Sequence, residues 1–184
     1  MLPKLASRIL SLSFFPPAPR HFSSNKYLLS WQTKIAMKFF GKEEVKTITE
    51  RINKLTPDSK PSWGKMNVSQ MLEHSARVVK VATGELKLKH SFLGRLFGKF
   101  ILNKILKNPE TTKNSPTSKE FVVQGTPDFE TAKTELIKAI NKLSEQDNED
   151  FEGKVHPFFG KMTAEEWKLL LQKHIDHHLK QFGV

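Results

Sequence analysis

Two histidines near the end of the chain, His174 and His178, stand four residues apart in a segment with helical periodicity. On a helix, this spacing places both imidazoles on one face, with their Cβ atoms about 6 Å apart. Imidazoles at this spacing can share one metal ion. Trp167, Leu170 and Leu171 occupy the same face, so the pair is expected to point toward the core, where unpartnered imidazoles are costly.

A third histidine with the same character lies in an earlier helical segment. His74 shares a mostly apolar helix face with Met71 and Val78. Three histidines from two helices would hold a metal ion and leave open coordination positions, which is typical of catalytic sites. The predicted ligands are therefore His74, His174 and His178. The alternative is that each is an ordinary hydrogen-bonded histidine, since histidines are common near helix C-termini.

The 184-residue chain contains no cysteine. Disulfides, zinc–thiolate sites and cysteine nucleophiles are therefore excluded. The remaining ligand types suit zinc, nickel, iron or manganese. The net charge is +11, but no recognised nucleic-acid motif appears, so no nucleic-acid partner is expected. No apolar run approaches the roughly 18 residues of a membrane span, so no stable membrane insertion is expected either.

Residues 1–36 differ in composition from the rest, with five basic residues and no acidic one. They have three interpretations: a mitochondrial transit peptide, a short secretory signal, or an extension upstream of a true start at Met37. Under all three, we expect an unstructured N-terminal extension over 1–36 and one domain over 37–184. A chain that begins at Met37 predicts cytoplasmic residence, and a real presequence predicts the mitochondrial matrix.

After residue 37 the apolar pattern is helical, and no segment is a convincing strand. The nearest candidate, Glu120–Gln124, is too short to support a sheet. Asn67–Gln70 and Thr163–Glu166 have the pattern of capping boxes. We predict an all-α protein, an up-and-down helical bundle. The predicted helices cover about residues 43–55, 67–84, 92–107, 128–145 and 163–181.

Several short strings resemble the DinB/YfiT-like superfamily, and more closely its domain-of-unknown-function branch. The resemblance covers about residues 38–184. The most specific string is His174–Gly183, which follows Glu166-Trp167. The others are Ser62–Met66, Met71–His74 and His156–Gly160.

The resemblance implies an up-and-down four-helix bundle in which His74, His174 and His178 bind a divalent metal ion. Its better understood relatives include transferases that use low-molecular-weight thiols and a thiol-dependent isomerase. In such enzymes the metal lowers the thiol's pKa and holds the thiolate. The leading hypothesis is a metal-dependent thiol transferase or hydrolase acting on a small-molecule substrate. Zinc or nickel is the first expectation for the metal, with iron or manganese as alternatives.

Auxiliary roles are assigned to five residues, and for all of them except Gln181 a surface position is the alternative. Arg95 and Lys99 would attract an anionic cosubstrate, and Glu73 would act as a base. Asp176 and Gln181 would orient a ligand imidazole.

Two other histidines near the predicted site receive no ligand role. His177 lies off the shared face, and we expect it to contact solvent or a neighbouring helix. His156 precedes a proline in an apolar loop, and we expect it to have a packing role, with support of a metal ligand as the alternative.

Two other function classes stay open. One is a non-catalytic binding or structural helical-bundle module. The other is a membrane-surface protein that uses the basic, apolar helix over residues 92–107. A homodimer is an open alternative to a monomer.

Overall fold

The computed structural model of the chain describes residues 38–115 and 117–184. The predicted extension over residues 1–36 lies outside them. The described chain is mostly helical, as predicted, and none of its helices is both long and apolar enough to cross a bilayer. Its helices are α1 (Lys42–Asn53), α2 (Val68–Thr83), α3 (Phe92–Lys107), α4 (Phe129–Glu145) and α5 (Ala164–Gln181), with 3-10 turns at Lys119–Phe121 and Asn148–Asp150.

Both predicted capping boxes are present, and they begin the two helices that carry the histidines. At the start of α2, the Asn67 side chain accepts a hydrogen bond from the Gln70 amide, while the Gln70 side chain accepts one from the Asn67 amide. Thr163 and Glu166 make the same reciprocal pair at the start of α5. These bonds satisfy amides that the helix itself leaves free, and they fix where each helix begins.

The prediction that the chain has no strand was wrong at one place. Val155–His156 and Gly160–Lys161 form a two-stranded antiparallel hairpin, with β1 as the first strand and β2 as the second. Strands of two residues carry no alternating pattern, so periodicity cannot detect them. The candidate strand Glu120–Gln124 instead overlaps the 3-10 turn at Lys119–Phe121.

The core lies among α1, α2, α4 and α5. The most extensive helix contact is between α2 and α4, and α2 also packs against α5. Because α2 is shared by both interfaces, its buried residues extend around much of its circumference. The contact between α2 and α5 places the predicted ligand positions of these two helices side by side. The fully buried side chains include Met71 and Leu72 of α2, Leu136 and Ile140 of α4, and Trp167 and Leu171 of α5.

Helix α3 contacts the rest of the protein through small residues. Its buried positions are Gly94, Gly98 and Leu102. A Cβ atom at either glycine would overlap the carbonyl oxygen of Phe158. The absence of side chains at these two positions therefore lets the helix lie directly on the backbone of the loop between β1 and β2.

That loop is organised by His156, which has the predicted packing role. Its Nδ1 accepts hydrogen bonds from the amides of Phe158 and Phe159, at 3.0 and 3.1 Å. Its ring packs against Trp167, with centroids 5.0 Å apart. Burial lowers the pKa of His156 to about 4. Protonation at Nδ1 would also break both amide hydrogen bonds.

His156 should make the stability of the protein depend on pH. Its folded pKa of about 4 lies below the ordinary value of 6.5, so the unfolded chain binds the extra proton first. The stabilisation is complete above the ordinary value and is lost as the pH falls toward 4. A shift of this size corresponds to about 3 kcal/mol.

The measurement is urea unfolding of the wild type and of His156→Asn, whose amide oxygen can accept the same bonds without titrating. We expect the stability difference between the two proteins to fall by about 3 kcal/mol from roughly pH 7 to pH 4. Other histidines titrate equally in both proteins and cancel. A difference that does not change with pH would contradict the assignment.

Candidate metal centre

The packing of α2 against α5 brings the three predicted ligands together. The ring centroids of His74 lie 5.0 Å from His174 and 4.9 Å from His178. The centroids of His174 and His178 lie 4.6 Å apart. One nitrogen from each ring can be chosen so that all three lie within 4.8 Å of one another. We call His74, His174 and His178 the histidine triad.

The orientation of His74 is set by a backbone carbonyl. Its Nδ1 lies 2.9 Å from the oxygen of Phe121, in the 3-10 turn between α3 and α4. A carbonyl only accepts, so Nδ1 must carry the proton of the neutral ring. The lone pair of His74 is therefore on Nε2.

The orientation of His178 is set by a side-chain amide that is itself anchored. Its Nδ1 lies 2.9 Å from Oε1 of Gln181, and Nε2 of Gln181 donates to the carbonyl of Trp63 at 2.5 Å. Because the Trp63 carbonyl can only accept, the Gln181 amide cannot be reversed without losing a bond. His178 therefore donates through Nδ1 and also carries its lone pair on Nε2. Gln181 takes the orienting role predicted for it.

The turn that anchors Gln181 requires a glycine. Gly64 has a φ of +85°, and a Cβ at this position would lie 2.5 Å from Nε2 of Gln181. Any other residue would be strained by its backbone and would displace the amide. The amide of Ser62 also donates to the backbone carbonyl of Gln181 at 2.7 Å. Residues 62–64 thus hold the end of α5 from outside the helix.

The third imidazole has a buried nitrogen without a partner. His174 as a residue is partly exposed, but its Nε2 is buried and makes no hydrogen bond within the described part of the chain. An unsatisfied buried polar atom costs about 1–3 kcal/mol. Binding of a partner to Nε2 of His174 would therefore stabilise the protein.

The triad is electrostatically suited to remain neutral. Burial is the largest cause of a lowered pKa in all three rings. It lowers the pKa of His178 to about 4, and that of His174 well below its ordinary value. The neighbouring histidines lower both further, because two imidazolium charges would repel each other. A neutral imidazole is the form that coordinates a metal ion.

The donor set is compatible with a metal ion. Around a tetrahedral ion, nitrogens at about 2.0–2.1 Å from the metal are about 3.4 Å apart. The triad nitrogens, within 4.8 Å of one another, would need only small side-chain rotations to reach that distance. Two lone pairs and one unpartnered nitrogen on three neutral rings are a set of donors that a divalent cation can use.

Other residues with predicted auxiliary roles do not join the triad. Asp176 does not orient an imidazole, because its carboxylate pairs with Arg51 at 3.0 Å and Lys180 at 2.8 Å. These two cations face the outer side of α5 and satisfy the carboxylate there. Glu73 pairs with Arg77 of its own helix at 2.8 Å, so its carboxylate is not a free base.

The basic residues Arg95 and Lys99 of α3 lie at the protein surface, which is the alternative to their predicted role. Lys99 pairs with Glu166 at 2.9 Å, and Arg95 is exposed. Arg95 lines a cleft of about 280 Å³ beside the loop at His156. A larger cleft, about 360 Å³, is lined by residues that include Glu73 and Arg77. The triad lines neither cleft.

Two contacts beside the triad were not predicted from the sequence. The Trp63 ring lies 5.6 Å from the ring of His177, whose centroid is 5.2 Å from that of His178. The ammonium of Lys113 lies 4.4 Å from the Trp63 ring centroid. His177 is therefore half-buried against a tryptophan. The role of Phe121 was also missed, because a backbone carbonyl leaves no signal in residue type.

Comparison with known proteins gives a family but no characterised relative. No curated protein and no solved structure matches the sequence. Residues 37–183 match the family described as "Protein of unknown function (DUF1569)". The match includes the whole triad and the residues that orient it. Because it covers most of the chain, the protein belongs to this family of unknown function, DUF1569.

Proposed function

We propose that the protein binds one divalent metal ion through His74, His174 and His178 and uses it as a metal-dependent thiol transferase or hydrolase. The observation that carries the proposal is the buried Nε2 of His174, which has no hydrogen-bond partner in the described structure. The hydrogen bonds of His74 and His178 leave their Nε2 lone pairs available to the same ion.

We further propose that the fold is the up-and-down four-helix bundle of the DinB/YfiT-like superfamily. The four helices would be α1, α2, α4 and α5, with α3 as an addition. Supporting this, α4 packs on both α1 and α2, and α2 packs on α5. The strings around Trp63, His74, His156 and His174 support the same relationship.

The chemistry follows from the ligand count. An ion held by three protein nitrogens keeps open positions and supplies Lewis acidity toward a thiol or water. Zinc or nickel fits an all-imidazole set best, and iron or manganese is the alternative. The Phe121 carbonyl and Gln181 would keep two of the rings oriented through their second nitrogens.

A low-molecular-weight thiol with a carboxylate is the proposed cosubstrate, and its anionic group needs a cation near the triad. Lys99 is paired with Glu166, so it is a poor candidate. Lys113 is better placed, since it lies over the ring of Trp63, whose carbonyl anchors Gln181. We therefore assign to Lys113 the role predicted for Arg95 and Lys99.

Metal content tests the proposal directly. The full chain, purified without added metal or affinity nickel, should contain about one divalent ion per chain. His74→Ala and His174→Ala should lose it, because two imidazoles hold an ion far more weakly than three. His90→Ala, at an exposed position, is the matched control and should keep it. A wild type that neither contains nor takes up metal would refute the proposal.

Gln181 should affect metal affinity although it cannot reach the ion. Gln181→Leu removes the acceptor for Nδ1 of His178, so the ring loses its fixed tautomer. Loss of such an orienting partner lowers metal affinity about 10- to 100-fold. Gln172→Leu on the same helix, where the amide bonds Glu44, is the control and should leave affinity unchanged. Equal affinities in competition titrations against a chelator would remove the orienting role.

A non-catalytic metal-binding module is the second candidate, and it is favoured by one observation: His74 and His178 are buried, with exposed fractions of 4% and 7%. The two candidates differ in whether a coordination position is open to a solute. The enzyme hypothesis requires that a small thiol reach that position, whereas a closed structural site excludes it.

Calorimetric titration of a small carboxylated thiol into the protein separates the two. For an enzyme, we expect binding to the metal-loaded protein and none to the metal-free protein. Lys113→Gln should weaken this binding by up to about fivefold, since Lys113 is exposed and an exposed charge pair is worth about 0.2–1 kcal/mol. Lys119→Gln, at another exposed lysine of the same connection, is the control. Absence of binding to the loaded protein would favour the structural module.

A further inference from the structure

Helix α3 carries an apolar face that nothing in the described structure covers. We define the exposed face of α3 as five apolar residues whose exposed fractions lie between 55% and 74%. Contiguous apolar patches of this kind on a protein surface usually mark an interaction site. The five residues are Phe92, Leu93, Leu96, Phe97 and Phe100.

The helix cannot turn this face inward. Its opposite side is fixed by Gly94 and Gly98, which lie on the carbonyl of Phe158 with no room for a Cβ atom. The amide of Ser91 donates to the carbonyl of Pro157 at 2.9 Å, which ties the start of the helix to the same loop. Rotating α3 would drive phenylalanine side chains into the loop backbone. The exposed face is therefore a fixed feature of the surface.

The charged residues of this helix and its flanking residues have one sign, and one of them, Lys99, pairs with Glu166 of α5. The segment 86–109 contains six basic residues and no acidic one. Phe97 and Lys104 are seven residues apart, as are Phe100 and Lys107, so each pair shares a side of the helix two turns apart. Both lysines are exposed. The basic residues of the segment are Lys87, Lys89, Arg95, Lys99, Lys104 and Lys107.

Charge complementarity decides among the possible occupants. A second copy of the chain would bring the same basic residues face to face. Residues 1–36 hold five basic residues and no acidic one, so they offer no complement either. An anionic lipid surface satisfies both requirements, because its acyl chains accept the apolar side chains and its headgroups accept the lysines.

We propose that α3 is a membrane-surface helix that binds anionic lipid. The phenylalanine and leucine side chains enter the boundary between headgroups and acyl chains, with the helix axis parallel to the surface. The aliphatic parts of Lys104 and Lys107 lie along the apolar layer, and their ammonium groups reach the phosphates. The helix lies on the bilayer and does not cross it, since in residues 38–115 and 117–184 this is the one helix with an extended apolar face that is exposed.

Vesicle sedimentation of the full chain tests this. The wild type should bind vesicles of phosphatidylcholine with phosphatidylglycerol, and should bind pure phosphatidylcholine much more weakly. Phe97→Ser with Phe100→Ser should lower the partition coefficient about tenfold or more, because two buried aromatic side chains are lost. Leu169→Ser, at an exposed leucine of α5, is the apolar control and should have no effect.

The charge contribution needs its own pair of variants. Lys104→Gln with Lys107→Gln should weaken binding to the anionic vesicles roughly 30-fold, since each lysine near such a surface contributes about fivefold. Lys46→Gln with Lys54→Gln, at exposed positions of α1 and its end, removes the same charge and should have a much smaller effect. All substituted positions on α3 are exposed, so circular dichroism should show unchanged helicity.

Three outcomes would overturn the proposal. The first is a wild type that does not bind anionic vesicles. The second is binding that none of the α3 variants weakens, which would place the lipid contact elsewhere in the chain. The third is a dimer in sedimentation velocity that Phe97→Ser with Phe100→Ser dissociates, which would assign the face to a second copy.

Discussion

Burial of three imidazoles between α2 and α5 is the constraint on which the rest of the site depends. A buried imidazole is stable only when it is neutral and its nitrogens have partners. The carbonyl of Phe121 and the amide of Gln181 provide partners for one nitrogen each in His74 and His178. Phe121 lies in the connection before α4, and Gln181 lies at the end of α5. Both segments must therefore fold against the histidines. One nitrogen of each ring then lies within 4.8 Å of the other two, an arrangement that is compatible with metal binding.

The same constraint explains the structure around the end of α5. Gln181 can orient His178 only while its own amide is anchored, and the Trp63 carbonyl does this. Gly64 provides both the left-handed backbone conformation and the space that the amide occupies. A loop of low regularity between α1 and α2 is thus held in place by hydrogen bonds to the last helix. The site is built as much from backbone carbonyls and an amide as from its histidines.

Helix α3 packs on the rest of the protein in a different way from the other helices. The other helices bury apolar side chains, whereas α3 buries two glycines and Leu102 and leaves its phenylalanines exposed. Burying glycines sacrifices hydrophobic stabilisation, since a glycine has no side chain to remove from water. In return the helix lies close to the loop after β1, which His156 and Trp167 keep rigid. The contact with this loop therefore fixes the orientation in which the exposed face of α3 and its basic neighbours point to solvent.

The sequence by itself determined the helical class, the approximate positions of the helices, both capping boxes and the shared helix face of His174 and His178. Each of these features depends on apolar periodicity, on residue spacing within one helix or on the residues at a helix end. Short segments of sequence encode all three. Only the tertiary structure decided that His74 lies opposite α5, because that depends on the contact of α2 with its neighbours. It also decided the partner of the His74 ring and the anchor of Gln181, since the backbone carbonyls of Phe121 and Trp63 are present in every residue type. The sequence likewise did not determine that the apolar face of α3 is exposed, because the pattern of apolar residues in a helix is the same whether protein or solvent covers that face.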